Sequence, residues 1–302
     1  MKHTRVVCFG EILWDNLKEG RRLGGAPLNV CYHLTKSGIE SSIISQVGND
    51  QNGEAIFTEL KKLGVDTRFC AISMEKPTST VEVHMNGQEL RYEIVEDVAW
   101  DYIETTPEMI ELVKAADALV FGSLVTRSEI SRKTLFRLME ESRFLVFDMN
   151  LRAPFYDRDG IFRLMNKTDL LKLNEDELGI VSGWLGENST EKQQQLQTIR
   201  KQFPNIAEII LTLGAEGSVY FSTNEFVEKK ANKVRVKDTV GSGDSFLAAF
   251  LANKLKGSSI ADSLDRASLL SGFIATQAGA CPVYDENDLL RFKQSIDLIQ
   301  YQ

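Results

Sequence analysis

The spacing of apolar and polar residues changes twice along the chain, and each change predicts a different kind of structure. Val6 to Leu13 is short and apolar, punctuated by Gly10 and Glu11, which is the pattern of a buried strand. Pro27 to Ser37 carries a helical period through Val30 and Leu34, with Gly38 placed to end it. Ser42 to Gly48 predicts the next strand, and Glu54 to Leu63 an amphipathic helix stopped by Gly64. This β-α-β-α order is that of a doubly wound sheet. From Asp66 to Ile103 the helical period is lost. Thr80 to Met85 alternates, Asn86-Gly87 is a strong hairpin signal, and Gln88 to Val95 returns as the partner strand. Strands then recur at 118–122, 144–149, 170–173, 209–213 and 217–222, with helices at 131–142, 243–256 and 260–278. The expectation is one α/β domain over residues 1–302, with a mainly parallel central sheet flanked by helices. A small discontinuous β-sheet lid, from about 16–23 and 66–103, would be attached to it.

Composition narrows the function classes. A chain of 302 residues that is 43% hydrophobic and 26% charged has enough apolar surface for a substantial core. Its net charge of −8 lacks the basic footprint of a nucleic-acid binder, and Lys229, Lys230, Lys233, Arg235 and Lys237 are spread along a strand-like stretch. The apolar run after Arg5 is too short for a secretory signal, and nothing approaches the roughly 20 apolar residues that span a bilayer. Cys8, Cys31, Cys70 and Cys281 are far apart and form no C-x-x-C. They read as free thiols of a cytoplasmic protein. With only His3, His33 and His84 and no H-E-x-x-H, histidine-based hydrolysis and zinc sites are poor fits.

Two glycine motifs remain. Asp238-Thr239-Val240-Gly241-Ser242-Gly243-Asp244 runs straight into an apolar helix. Glycines before a helix leave N–H groups free at its positive end, which makes an anion site with Asp244 beside it. Asp and Ser are also ordinary caps at such a position. There is no G-x-x-x-x-G-K-[ST], no dinucleotide fingerprint after the first strand and no G-x-S-x-G elbow. The second motif, Leu23-Gly24-Gly25-Ala26-Pro27-Leu28-Asn29, permits close backbone approach and offers an amide donor and acceptor, with the Asp15 carboxylate upstream. That set suits a polyol; a helix start with Pro in its first turn reads equally well.

In this order the two motifs resemble the signatures of the ribokinase-like (PfkB) carbohydrate kinases, and the chain is closest in appearance to bacterial fructokinases. The first matches G-G-A-x-x-N, followed by Val47-Gly48-Asn49-Asp50 and Gly53; the second matches D-T-x-G-[AS]-G-D. The resemblance runs from Val7 to about Pro282. It implies a parallel sheet between helices with a β-lid over the sugar, and use of ATP and Mg2+. It makes Asp244 the catalytic base and Gly241, Ser242 and Gly243 the anion hole. Asp15, Gly24, Gly25 and Asn29 become sugar contacts. Asn174 and Glu177 match N-x-x-E, which organises Mg2+ and phosphate through water, although the same pair also reads as a capping box. Thr212, Gly214 and Gly217 match a nucleotide loop. Asp238 and the loop near Gly279 match positions that hold a monovalent cation, K+, in some members. A homodimer through the lid is a further implication.

Asp148-x-Asn150-x-Arg152 resembles a stretch shared by fructokinases and 2-keto-3-deoxygluconate kinases, which makes Arg152 a substrate or phosphate contact. Many fructokinases carry Tyr-Arg on the lid strand; here Arg91 precedes Tyr92. The expected reaction is phosphorylation of a sugar primary hydroxyl, fructose to fructose 6-phosphate. The alternatives are 2-keto-3-deoxygluconate or another sugar, or a sugar-binding regulator without turnover.

Overall fold

The computed structural model describes residues 4–17, 20–86 and 89–300, with backbone alone at 17, 83–86, 89–92, 297, 299 and 300. Gly87 of the expected Asn86-Gly87 turn and the side chains of Arg91 and Tyr92 lie outside what is described. The chain begins β1 (Arg5–Phe9), β2 (Leu13–Leu17), β3 (Gly20–Gly24), α1 (Ala26–Lys36), β4 (Glu40–Gly48), α2 (Gln51–Leu63). It continues β5 (Cys70–Ser73), β6 (Ser79–Asn86), β7 (Glu89–Ile94), α3 (Pro107–Ala115), β8 (Ala118–Gly122), α4 (Glu129–Met139), β9 (Leu145–Asp148), α5 (Arg158–Met165). Then come β10 (Leu170–Asn174), α6 (Glu175–Trp184), α7 (Lys192–Gln202), β11 (Glu208–Thr212), β12 (Ser218–Ser222) and β13 (Phe226–Lys229). Three helices close the chain: α8 (Ser242–Leu255), α9 (Ile260–Ala275) and α10 (Glu286–Gln300).

Strand β1 is apolar on both faces, with Val6 and Cys8 in one core cluster and Val7 and Phe9 in another. Such a strand belongs in mid-sheet with helices on each side. It lies there, in a sheet ordered β13-β12-β11-β10-β9-β8-β1-β4-β5. The strands from β11 to β5 pair parallel, while β12 and β13 pair antiparallel at one edge. On one face α1, α8 and α9 bury Leu28, Leu34, Phe250 and Ile274. On the other, α3, α4, α5 and α7 bury Val113, Leu138, Ile161 and Leu196. No helix among the described residues is long and apolar enough to cross a membrane.

A second sheet of four strands, β3-β2-β6-β7, stands apart from the first. Its central pair, β2 with β6, is parallel, and the two outer pairs are antiparallel. Three expected boundaries need correction. Val6 to Leu13 is not one strand: Gly10, at φ +147°, turns the chain beside Pro27, and Leu13 opens the small sheet. The small sheet therefore starts at Leu13, ahead of residue 16. The stretch 66–103 is too wide for a lid. Cys70–Ser73 pairs with β4 at the edge of the large sheet, with its end residues Cys70 and Ser73 buried there. Val98, Ala99 and Trp100 are fully buried in the main core. Helices α3, α5, α6, α7 and α10 were not expected; their apolar positions are interrupted by charged and polar residues.

An ion pair ties the small sheet's exit to the main core. Arg127 Nε and Nη2 donate to the two carboxylate oxygens of Asp101 at 2.8 Å each, and Nη2 also donates to the Val95 carbonyl at 2.7 Å. The guanidinium stacks 3.9 Å from the Trp100 ring centre, and both partners are almost wholly buried. Arg127→Ala leaves Asp101 buried and unpaired, so it should lower stability by about 3–5 kcal/mol. A urea midpoint moved by less than about 1 kcal/mol would show that the pair behaves like a surface bridge.

Candidate active site

In an open parallel sheet, ligands collect at the carboxyl ends of strands where the connections diverge. A cleft of about 2090 Å3 lies there, bounded by Glu11 after β1, Leu124 after β8, the loop Asn150–Phe155 after β9, and Asn174 at the end of β10. Strands β2 and β3 form one wall through Leu13, Asp15, Arg22 and Leu23, and the start of α8 forms the floor.

The floor is fixed by the burial of α8. Residues Ser245 to Ala252 are buried on all sides, so the helix cannot rotate to hide its first turn. Gly241 caps it in the left-handed region at φ +77°, and a side chain there would collide with Ala280. The first turn leaves the N–H groups of Gly243 and Asp244 without helical acceptors, facing the cleft. Asp244 Oδ2 accepts a hydrogen bond from Asn29 Nδ2 at 2.7 Å. Asn29 Oδ1 in turn accepts from Cys281 Sγ at 3.3 Å, so this amide holds Asp244 in place while still lining the cleft.

Charge is concentrated around that carboxylate. Lys172 projects from the otherwise apolar β10 and donates to Asp148 Oδ1 at 2.8 Å, with side chains only 7% and 4% exposed. Its ammonium stands 3.0 Å from where a Gly243 side chain would begin, so a larger residue there would press on the lysine. Burial works against the ammonium, but Asp148, Asp244 and Glu177 outweigh it and hold its pKa above the usual lysine value. Asp244 titrates at about 6: burial of its carboxyl and the Asp148 charge raise it, opposed by Lys172, Asn29 and Arg152. Glu11, fully enclosed behind it, is pushed by burial up to about 7, and its Oε2 has no hydrogen-bond partner among the described residues. Asp148 Oδ2 and Ser242 Oγ are likewise buried and unpartnered. Orphaned polar atoms gathered at one cleft mark where water or ligand belongs.

On the small-sheet side, Asp15 is raised by burial to about 6, with Arg152 and Arg22 pulling it down. Gly24 lies so close to Asp15 Oδ2 that a side chain would displace the carboxylate; Gly25, at φ +115°, abuts the Glu11 carbonyl. Arg152 is exposed at the cleft wall, and its Nη1 donates to the Leu151 carbonyl at 3.1 Å. Asp15, Gly25, Asn29, Arg152 and Asp244 thus line one end of the cleft, with Gly24 directly behind Asp15.

The other end is lined by Thr212, Gly214, Gly217, Asn232, Val236 and Gly272. Asn174 and Glu177 form a reciprocal cap on α6: Asn174 Oδ1 accepts from the Glu177 N–H at 2.9 Å, and Glu177 Oε2 from the Asn174 N–H at 2.8 Å. Glu177 Oε1 accepts from the Leu151 N–H at 2.9 Å. Both oxygens of Glu177 are therefore engaged, and Asn174, Glu175 and Asp176 line the cleft instead. Among the described residues no cluster of His, Cys, Asp or Glu could hold a metal by itself. An ion such as Mg2+, which keeps its waters and binds through phosphates, fits this sparse acidic wall. Both oxygens of Asp238 are engaged: Oδ1 accepts from the Val240 N–H, and Oδ2 from the Gly279 N–H and from Arg22 Nη1. Arg22 thus already supplies a positive charge to the carboxylate on which a monovalent cation would sit. Asp50 lies away from the cleft, capping α2 and binding the N–H and hydroxyl of Thr78 at the root of β6.

The sequence reading missed Glu11, Lys172 and Arg22. A lysine inside Leu170-Leu171-Lys172-Leu173, and a glutamate ending a buried strand, are charges where a parallel sheet should carry none. That was the available signal.

The model of the family described as "pfkB family carbohydrate kinase" matches residues 5–287. An uncharacterized sugar kinase of Pyrococcus horikoshii is 27% identical over 97% of each chain, and its crystal structure superposes with a TM-score of 0.79, covering 97% of this chain and 98% of that one. Fructokinase-2 of Oryza sativa subsp. japonica is 26% identical over 92% of this chain and 90% of its own. A fructokinase double mutant from Vibrio cholerae, crystallised with fructose, ADP and potassium ion, gives a TM-score of 0.82 at 21% identity, covering 96% and 98%. At that identity the likeness is one of fold.

The enclosed Glu11 gives a test of the site's electrostatics. Its pKa is raised on folding, so its contribution to stability is present below about 4.5 and is lost as pH rises through about 7. Glu11→Gln should therefore raise the melting temperature in mildly alkaline buffer, by up to roughly 3 kcal/mol of stability, and flatten its pH dependence. Equal melting curves for the two proteins across that range would show that Glu11 is not an enclosed charge.

Proposed function

Because this chain belongs to the pfkB family of carbohydrate kinases, we propose that it transfers the γ-phosphoryl group of ATP to the primary hydroxyl of a neutral sugar, fructose at O6 foremost. The observation that carries this reading is Asp244, held by Asn29 at the open N-terminus of a buried helix. A carboxylate titrating near 6 is ionised at neutral pH and still basic enough to receive a proton. As the sugar oxygen bonds to phosphorus and the bond to the ADP oxygen breaks, Asp244 takes the hydroxyl proton. Negative charge spread over the transferring phosphoryl group meets the N–H groups of Gly243 and Asp244, the helix dipole and the Lys172 ammonium. Mg2+ bound to the ATP phosphates supplies further charge neutralisation. Glu177 acts at one remove, fixing Asn174 and the Leu151 backbone at the wall where those phosphates lie.

The nucleotide occupies the end lined by Thr212, Gly214 and Gly217, and the sugar lies between Asp15, Gly25, Asn29 and Arg152. The small sheet serves as the lid over the sugar, excluding water that would otherwise compete as acceptor. A homodimer pairing through this sheet, measurable by sedimentation, would cover its outer face. A neutral sugar is favoured because Glu11, Asp15 and Asp244 already share the field of Arg152. A substrate carboxylate would add one more negative charge around Arg152, since the guanidinium of Arg22 is already paired with Asp238.

Release of ADP across a panel of sugars tests the reading. Fructose should be phosphorylated, and Asp244→Asn should lower kcat by about 10²–10⁴-fold. For the native chain kcat/KM should fall about tenfold per pH unit below about 6, as Asp244 takes up its proton. A preference of about tenfold for 2-keto-3-deoxygluconate, worth about 1.4 kcal/mol, would overturn fructose while leaving the phosphoryl transfer intact. Sugar binding with no ADP released would identify a regulator.

A further inference from the structure

Arg22, on strand β3 of the small sheet, has its side chain ion-paired into the loop that leads to the anion hole. It faces Asp15 across the β2–β3 ladder, and its Nη1 donates to Asp238 Oδ2 at 2.7 Å. The Asp238 carboxylate does more than accept this charge. Its Oδ2 also accepts from the Gly279 N–H at 3.0 Å, and its Oδ1 from the Val240 N–H at 3.0 Å. It thereby fastens the loop after α9 to the loop before α8. Gly279 is packed against the Arg22 stem, with a side chain at 279 placed only 3.3 Å from Cδ. The next residue, Ala280, lies against Gly241, the cap of α8. Guanidinium, carboxylate, loop and helix cap therefore form one continuous stack ending at the site of phosphoryl transfer.

We infer that Arg22 is a built-in cation: its guanidinium occupies the place at Asp238 that an exchangeable monovalent cation would take, so the chain needs no K+ to order its anion hole. This rests on the kinase reading for its functional consequence, but the site itself can be tested without turnover. A guanidinium stays protonated at every accessible pH and makes a directed hydrogen bond, whereas a bare alkali ion needs several oxygen ligands. The three donors on Asp238 leave no free lone pair pointed at the Arg22 position for such an ion. Because the charge comes from β3, the same contact also couples the small sheet to the floor of the cleft.

The test compares K+ with tetramethylammonium at equal ionic strength, for the native chain and for Arg22→Met, by melting temperature and by ADP release with sugar. The native chain should melt at the same temperature in both salts, and its rate should agree within about twofold. Arg22→Met should melt lower in tetramethylammonium and recover in K+. Its kcat should fall by about tenfold or more and be partly restored by K+, with Arg22→Lys remaining indifferent to the salt. A native chain that K+ stabilises or accelerates severalfold would overturn the inference, as would an Arg22→Met protein that ignores K+ in both readouts. If that variant does not fold, the native comparison still decides. Absence of ADP release in every buffer would count against the kinase reading alone, because the melting curves report on the Asp238 site independently.

Discussion

Everything at the cleft depends on how α8 is held. Its first turn must face open space, although the helix is apolar on every side, and the chain meets this demand by packing α1 and α9 along it. The Asn29–Asp244 hydrogen bond is the polar end of that packing: it joins the first turn of α1 to the first turn of α8 at 2.7 Å. A flexible aspartate would sample many rotamers, and each would place its carboxylate differently relative to the cleft. Here the amide and the helix dipole select one orientation before any ligand arrives. The glycine at 241 follows from the same constraint, since Ala280 occupies the space a side chain would need.

Keeping three carboxyls and a buried aspartate–lysine pair within one cleft is costly to the folded state. Burial pushes Glu11, Asp15 and Asp244 upward together. Each is relieved in part by Arg152, Arg22 or Lys172. The net effect is a cleft whose electrostatics are tuned rather than neutralised: Asp244 stays ionised but basic, while Lys172 stays charged despite being enclosed. Sites that carry chemistry commonly hold such strain, because a fully satisfied carboxylate would be a poor proton acceptor.

Much of this was legible from residue order. Apolar runs ending in glycine gave β1, α1, β4 and α2 within a few residues, and the loss of helical period after Asp66 exposed the second sheet. Asp244 and its glycines stood out because helix starts have fixed chemistry. What stayed hidden was long-range. No local pattern shows that Cys70–Ser73 pairs with β4, or that Val98–Trp100 is swallowed by the main core beside Arg127. Glu177 was legible as a cap, and the structure spends both its oxygens on backbone N–H groups. Arg22 illustrates the limit. Its partner lies 216 positions away, and only the fold brings them together.

That separation has a consequence for synthesis of the chain. Strand β1 needs β8 on one side, and the buried face of α1, with Leu28 and Leu34, needs α8 on top of it. At ribosomal rates, the 215 positions between Asn29 and Asp244 correspond to roughly ten to forty seconds. Through that interval the N-terminal third has an apolar surface with no partner, and Asp244 has not yet been made. Folding of this molecule is therefore completed from its tail. Its earliest segments are the ones that must be kept from aggregating, and a nascent chain stalled before α8 would expose much of its core and contain no floor to its cleft.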